Sequence, residues 1–215
     1  LRLVLAKGVR NYVVLAGRDA PGLGRSLGWA GADLMLFAQT LGLNSWWVGG
    51  TFRRKGLEKN AAPEAEKLLG LLALGYGATQ GAPHKSKRAE EIAAYEGEPP
   101  EWFAKGVEAV LLAPTALNKQ AFSIRGQGRR VSMTCQNGVF SGVDLGIGQY
   151  HFELGAGKEN FDWAQMKGPQ KRSLFACFSG PPACPGPPGF CPAAGPGAPP
   201  RCSTPPAHPA PRSGR

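Results

Sequence analysis

The chain has no apolar run near the roughly 18 residues that a membrane-crossing helix needs, and no secretory leader is visible. It has no CxxC pair. Of its five cysteines, Cys177, Cys184, Cys191 and Cys202 fall near the C-terminus, at spacings that suit neither a zinc site nor a compact disulfide framework. Only Cys135 lies in the region expected to fold, so a reducing, cytoplasmic compartment is expected. Histidine is scarce, and the three present (His84, His151, His208) are too scattered to suggest a metal site. The formal net charge is +10, yet no zinc-finger, basic-zipper or RNA-binding-sheet motif accompanies it. The densest basic runs, Arg53-Arg54-Lys55 and Lys85 to Arg88, are short, which reads as a solvated basic surface rather than a nucleic-acid site. No nucleophile paired with an acid or base stands out.

Proline is sparse up to Gly168 and then abundant, as in Pro181-Pro182-Ala183-Cys184-Pro185-Gly186-Pro187-Pro188. Such a segment has little to bury against its ordering entropy, and it lacks the three-residue period of collagen. Residues 168–215 are therefore expected to form a disordered Pro/Gly-rich tail, and 1–167 one folded domain. A hydrophobic fraction of 42% over 215 residues suffices for its core. The chain opens on Leu1 in the apolar run Leu1-Arg2-Leu3-Val4-Leu5, which reads as the interior of a longer protein.

Within the folded part, Asn11 to Ala16 reads as a buried strand and Trp29 to Leu41 as a helix stopped by Gly42. Ser45 to Val48 is a short strand, Lys67 to Leu74 a strand or short helix, and Lys87 to Tyr95 a short helix. Pro100 suits the first position of a helix running to Leu112. Ala121 to Ile124 and Arg130 to Thr134 read as strands. Ser141 with Asp144 forms a capping-box pattern for a helix to about Leu154. The class is α+β. A weak internal repeat relates Gly31-Ala32-Asp33-Leu34 to Gly142-Val143-Asp144-Leu145. Asp33 and Asp144 read as helix-start residues favoured by the dipole, His151 as a packed core histidine, and Trp102 and Phe103 as core anchors.

Two stretches carry chemistry. His84-Lys85-Ser86-Lys87-Arg88 groups cations around a serine. Pro114-Thr115-Ala116-Leu117-Asn118-Lys119-Gln120 offers hydroxyl and amide groups in a loop after a helix. Together they suit a ligand with a flat polar ring at one end and a phosphate at the other, such as flavin mononucleotide (FMN). Lys85, Ser86 and Lys87 read either as a phosphate grip or as a solvated helix start with Ser86 as its N-cap. Thr115, Asn118 and Gln120 read as bonding the ring's carbonyl and imide edge, or as a polar helix-exit loop.

These words in order resemble the FMN-dependent nitroreductases, most closely the branch whose single chain carries two related halves. The resemblance runs from about Asn11 to Trp163. It rests also on Gly75-Tyr76-Gly77, Pro100-Glu101-Trp102-Phe103, Gly106-Val107-Glu108-Ala109 and Tyr150-His151-Phe152-Glu153-Leu154-Gly155-Ala156-Gly157. Ordinary members carry an Arg-x-Ser-x-Arg element and, about thirty residues on, a Pro-Ser-x-x-Asn-x-Gln loop. Here Lys replaces Arg and Thr replaces Ser, which keeps charge and hydroxyl but loses the guanidinium fork. The branch has Glu where Ala32 stands and Thr-Cys-Trp where Ser45-Trp46-Trp47 stands.

The resemblance implies a nitroreductase-like fold, a mixed sheet flanked by helices. Residues 1–77 would be the end of a first half whose start is absent, and 78–167 a second half. It implies FMN as cofactor and NAD(P)H as electron donor. The acceptor would be a small molecule, nitroaromatic, quinone or related. No nucleic-acid or membrane partner is implied, and the assembly would be a monomer with an internal pseudo-dimer or a homodimer. The implied cofactor-binding residues are Lys85, Ser86, Lys87, Pro114, Thr115, Asn118, Gln120, Gly49 and Gly50, with no catalytic side chain and no metal. Gly49 and Gly50 would let the backbone approach the flavin N5; a tight turn after a strand is the other reading. The basic-serine element and the Pro-Thr loop of one half would face different flavin sites. The truncated chain would then bind FMN weakly or not at all. The alternative is a non-catalytic flavin- or ligand-binding relative, or an inactive fragment.

Overall fold

Val13, Val14, Leu15 and Ala16 are four successive buried residues, a run that fits a strand covered on both faces. They form the centre of β1 (Asn11–Gly17). The computed structural model describes residues 8–52, 54, 55, 57 and 65–164, with the backbone of 175–179. After β1 come α1 (Leu23–Thr40), β2 (Asn44–Val48) and β3 (Lys67–Gly75), then a one-turn α2 (Ala89–Ile92) and β4 (Ala93–Tyr95). They are followed by α3 (Glu101–Leu111), β5 (Phe122–Gln127), β6 (Arg130–Cys135), α4 (Ser141–Ala156), β7 (Asp162–Trp163) and β8 (Phe175–Ser179).

The strands make two four-stranded sheets. The first has order β2-β3-β1-β8 with antiparallel neighbours throughout. The second has order β4-β5-β6-β7, in which only β5 and β6 are antiparallel. The faces of the first sheet bury two clusters. One joins Val14, Ala16, Val48 and Leu71; the other joins Val13, Leu15 and Leu72 to Leu27 of α1. The second sheet packs Ile124, Val131 and Met133 against Phe103 and Val107 of α3 and Phe152 of α4. This bears out the reading of Phe103 as a core anchor; Trp102 is half-buried beside it, stacked on Phe161.

Between the sheets, α1 and α4 cross backbone to backbone. A methyl on Gly28 would overlap the Val143 carbonyl oxygen, and one on Gly146 would overlap the Arg25 carbonyl oxygen. A Cβ on Gly24 would sit 3.4 Å from the Gly142 Cα. The separation of Gly24 from Gly142 equals that of Gly28 from Gly146 and of Arg25 from Val143. The contacts are therefore reciprocal, as expected of two related helices about a local two-fold axis. The equivalence pairs Gly24-Arg25-Ser26-Leu27-Gly28 with Gly142-Val143-Asp144-Leu145-Gly146, which moves the expected repeat register by two turns of α1.

Other expectations are corrected too. α1 begins at Leu23, not Trp29, so Asp33 lies in mid-helix, where it accepts the Tyr150 hydroxyl at 2.6 Å. The expected Lys87–Tyr95 helix stops at Ile92, because Ala93 to Tyr95 turn into a strand parallel to β5. Ser141 and Asp144 form no capping box. Ser141 Oγ instead donates to Gly138, and the Asp144 carboxylate is drawn to the Ala116 N–H. The tail is not wholly without structure. Phe175–Ser179, free of proline, pairs along β1 from Ala16↔Phe175 to Tyr12↔Ser179. The rest of the expected tail, and the Leu1 to Leu5 run, lie outside the described residues. No helix among the described residues is long and apolar enough to cross a membrane.

Candidate functional site

The last four carbonyls of an α-helix have no partner within the helix. At the end of α3, Leu111 and Leu112 need donors, and the basic-serine element supplies them. Ser86 Oγ donates to the Leu111 carbonyl at 2.8 Å, and His84 Nε2 lies 3.3 Å from the Leu112 carbonyl. Gln120 Nε2 also donates to Leu111, at 2.9 Å. A helix end and two separate sequence words thus meet at one point.

Further bonds tie the words together. The Lys87 N–H donates to Gln120 Oε1 at 2.7 Å, and Lys87 Nζ donates to the Gln120 carbonyl at 3.0 Å. Asn118 Nδ2 donates to the Lys85 carbonyl at 2.8 Å. The two words, expected to face different flavin sites, thus lie side by side. The segment 84–88 runs alongside the 111–120 loop and is fastened to it at both lysines.

The loop is held from its own side as well. The Gln120 N–H donates to Thr115 Oγ1 at 3.0 Å, and the Ala116 N–H donates to Asp144 Oδ1 of α4 at 3.0 Å. Burial pushes the Asp144 carboxyl above its ordinary range, while the Ala116 N–H and the charge of Lys119 oppose that shift. Pro114 is half-buried after the fully buried Ala113, which packs with Ala32 of α1 and Val143 and Ile147 of α4. Ala32 is itself buried there, so the space a Glu would need is filled by helix packing.

Leu117, Asn118 and Gln120 have left-handed backbone, with φ of 56°, 52° and 44°. Such a conformation costs roughly 1–2 kcal/mol per residue outside glycine. It persists where surrounding bonds over-determine it, a habit of ligand-binding loops. Here the Gln120 and Asn118 bonds do so. Leu117 stands at the tip, 89% exposed.

The nine residues expected at the site divide into two groups. Lys85, Ser86, Lys87, Pro114, Thr115, Asn118 and Gln120 come together as one network. Within it Gln120 is 1% exposed, and both ends of its carboxamide are bonded internally, so it faces the protein rather than a ligand. Lys85, Lys87 and Asn118 are exposed. Neither lysine meets a carboxylate among the described residues. Gly49 and Gly50 form the second group. No described hydrogen bond joins them to the loop; a Cβ on Gly49 would press on the Phe140 ring at 2.9 Å, one turn before Asp144. The Gly49 carbonyl accepts from Arg54.

Sequence reasoning missed Asp144 as an anchor of the loop, and missed the Leu111 carbonyl as the hub of the network. Burial, helped by nearby Asp144, pushes the Cys135 thiol up to about 11, away from the thiolate form that a nucleophile needs.

A phosphate-bearing ring fits these groups. Lys85 is an exposed cation, and Lys87 has ammonium hydrogens beyond the one given to Gln120. The Thr115 hydroxyl hydrogen and Asn118 Oδ1 have no partner among the described residues. Ser86 is the exception, since its proton already goes to Leu111.

Residues 1–156 match the family described as “Putative TM nitroreductase”. No curated protein matches the chain. Among solved structures, a putative nitroreductase from Thermotoga maritima superposes with a TM-score of 0.59 at 20% identity, over 79% of this chain and 76% of that one. The match to the family spans most of the sequence, and the solved structure shares the α+β fold: the chain belongs to the nitroreductase family, a family of oxidoreductases.

Proposed function

We propose that the chain is an FMN-dependent oxidoreductase that takes electrons from NAD(P)H and passes them to a small nitroaromatic, quinone or related acceptor. The observation that carries this reading is the fastening of Lys85 to Lys87 against the Pro114–Gln120 loop. It holds the backbone of two exposed lysines beside an amide oxygen and a hydroxyl hydrogen that have no partner among the described residues, in a chain of this family. The flavin, when bound, supplies the hydride chemistry.

The protein's part is binding and orientation. Lys85 and Lys87 hold the phosphate end by charge-assisted bonds, which are the stronger kind. The Thr115 hydroxyl and Asn118 Oδ1 meet the polar edge of the ring. Pro114 sets the loop's exit from α3, and Gly50, where a Cβ would meet nothing within 4 Å, keeps a side chain away from a second approach. Lysine grips a phosphate as a point charge where arginine would grip it with a fork, so binding should weaken with salt.

The test is FMN titration of the purified chain by flavin fluorescence. NAD(P)H oxidation is then followed with added FMN and either nitrofurazone or menadione. Weak but saturable binding with acceptor-dependent oxidation is expected. Absence of binding at millimolar FMN would overturn the reading, and binding without turnover would assign the chain to the non-catalytic ligand binders.

A further inference from the structure

We propose that Gln120 is a positioning residue, whose buried carboxamide sets Lys85 and Lys87 in register for the phosphate end of the ligand. This inference rests on the flavin reading above. The side chain lies inside the protein and can touch no ligand, yet its carboxamide ties the basic segment to the end of α3. Its Oε1 accepts the Lys87 N–H, its Nε2 donates to Leu111 at the end of α3, and its carbonyl accepts from Lys87 Nζ. Its own N–H goes to Thr115 Oγ1.

Each of these bonds restricts a different freedom. The bond to the Lys87 N–H fixes the backbone of the basic segment. The bond to Lys87 Nζ limits the directions in which the ammonium can point. The bond to Leu111 fixes the carboxamide itself to α3, whose carbonyl Ser86 also shares. Burial removes water as a competing partner, so loss of the carboxamide leaves the Lys87 N–H and part of the Leu111 demand unmet. Affinity obtained from fixed cations falls when ordering them becomes part of binding.

A merely structural residue would affect every ligand alike. Gln120, acting through the lysines, should affect only ligands that carry the phosphate. Gln120→Met keeps length and removes both carboxamide bonds. The full chain and this variant are titrated with FMN and with riboflavin, which lacks the phosphate. Exchange of the Lys87 amide is followed by NMR without ligand. Expected in the variant are amide exchange and an FMN Kd that each rise at least about tenfold, with riboflavin affinity changed less than about two-fold.

Equal losses for the two flavins would overturn the inference, as would an unchanged FMN-to-riboflavin ratio or an unchanged Lys87 amide. So would a wild-type chain that binds both flavins equally. If Gln120→Met shows no cooperative thermal transition, Gln120→Asn, which draws the carboxamide back by one methylene from the Lys87 N–H and the Leu111 carbonyl, decides by the same ratio. A wild-type chain that binds neither flavin overturns the flavin reading, and this inference with it. A wild type that prefers FMN, with a variant that keeps the preference, overturns this inference alone.

Discussion

His151 packs inside α4 at 7% exposure, and its Nδ1–H donates to the Ile147 carbonyl at 2.9 Å. Burial lowers its affinity for a proton, and the Ile147 bond only partly opposes that. The unfolded chain therefore binds a proton near the ordinary histidine value of about 6.5, while the folded chain still refuses it. Stability is full above that value and falls as pH drops through it toward the lower folded-state value. Asp144 works in the opposite sense. Its carboxyl is raised, so its contribution is fully present below the ordinary aspartate range and is lost as pH rises through the raised value. Thermal unfolding at pH 7.5 and at pH 5.5 should show a lower midpoint at the acid pH. His151→Gln should flatten that difference, and a variant that keeps the full acid loss would remove His151 as its source. Gln120 shows what was legible at this scale. Polar residues in a loop read as outward groups, yet Gln120, Phe122, Ile124 and Gly126 are all buried, on one alternation. Extending the β5 period back by two places the amide inside. The loop's hydroxyl and amide chemistry was readable from composition; which of its groups faces inward was readable only from that parity.

The crossing of α1 and α4 shows why element boundaries were harder than element types. Strands β1, β2, β3, β5 and β6 follow from apolar runs and alternation, and their expected places hold to within a few residues. α1 was read as starting at Trp29, beyond a stretch that holds Gly22, Gly24 and Gly28. In the structure Gly24 and Gly28 lie inside the helix, where they let the α4 backbone approach. The repeat was misregistered for a related reason. A glycine three residues before leucine occurs at Gly24 and again at Gly31, two turns further on the same side of α1. A four-letter likeness cannot choose between turns; backbone contact does. This close approach leaves no room for a side chain. Gly28→Ala should destabilise the fold by about 1–3 kcal/mol through overpacking against the Val143 carbonyl. Gly50→Ala, which would meet nothing within 4 Å, should shift stability by no more than about 1 kcal/mol. Urea unfolding of both variants measures the difference, and equal midpoints would mean that the helices separate at no cost.

Both sheets belong to one compact unit, although little apolar material among the described residues lies between them. The cluster that joins α1 to α4 holds only Ala32, Ala113, Val143 and Ile147, with Trp47, Leu69 and Tyr150 packed on it. Polar clasps close the remainder. Glu153 of α4 accepts the Trp29 indole N–H from α1 at 3.2 Å and the Trp163 indole N–H from β7 at 2.8 Å, one on each carboxylate oxygen. Tyr150 stands edge-on to Trp29 and donates to Asp33; burial and that bond push its hydroxyl up to about 12, so it remains a donor throughout the neutral range. Nothing in the sequence paired these residues, since Trp29 and Glu153 lie far apart along the chain and only the fold brings them together. Lys158 adds little, as an exposed partner 3.6 Å from Glu153. Removing the carboxylate leaves two part-buried indole donors without acceptors, so Glu153→Ala should cost about 1–3 kcal/mol. Because α1 and α4 share backbone contact as well as this clasp, the sheets should unfold together. Tryptophan fluorescence and far-ultraviolet circular dichroism should trace a single coincident urea transition in the wild type, and a lower but still coincident one in Glu153→Ala. Separate transitions in the wild type would show that each sheet and its helix unfold independently, and that the glycine crossing does not bind the halves into one cooperative structure.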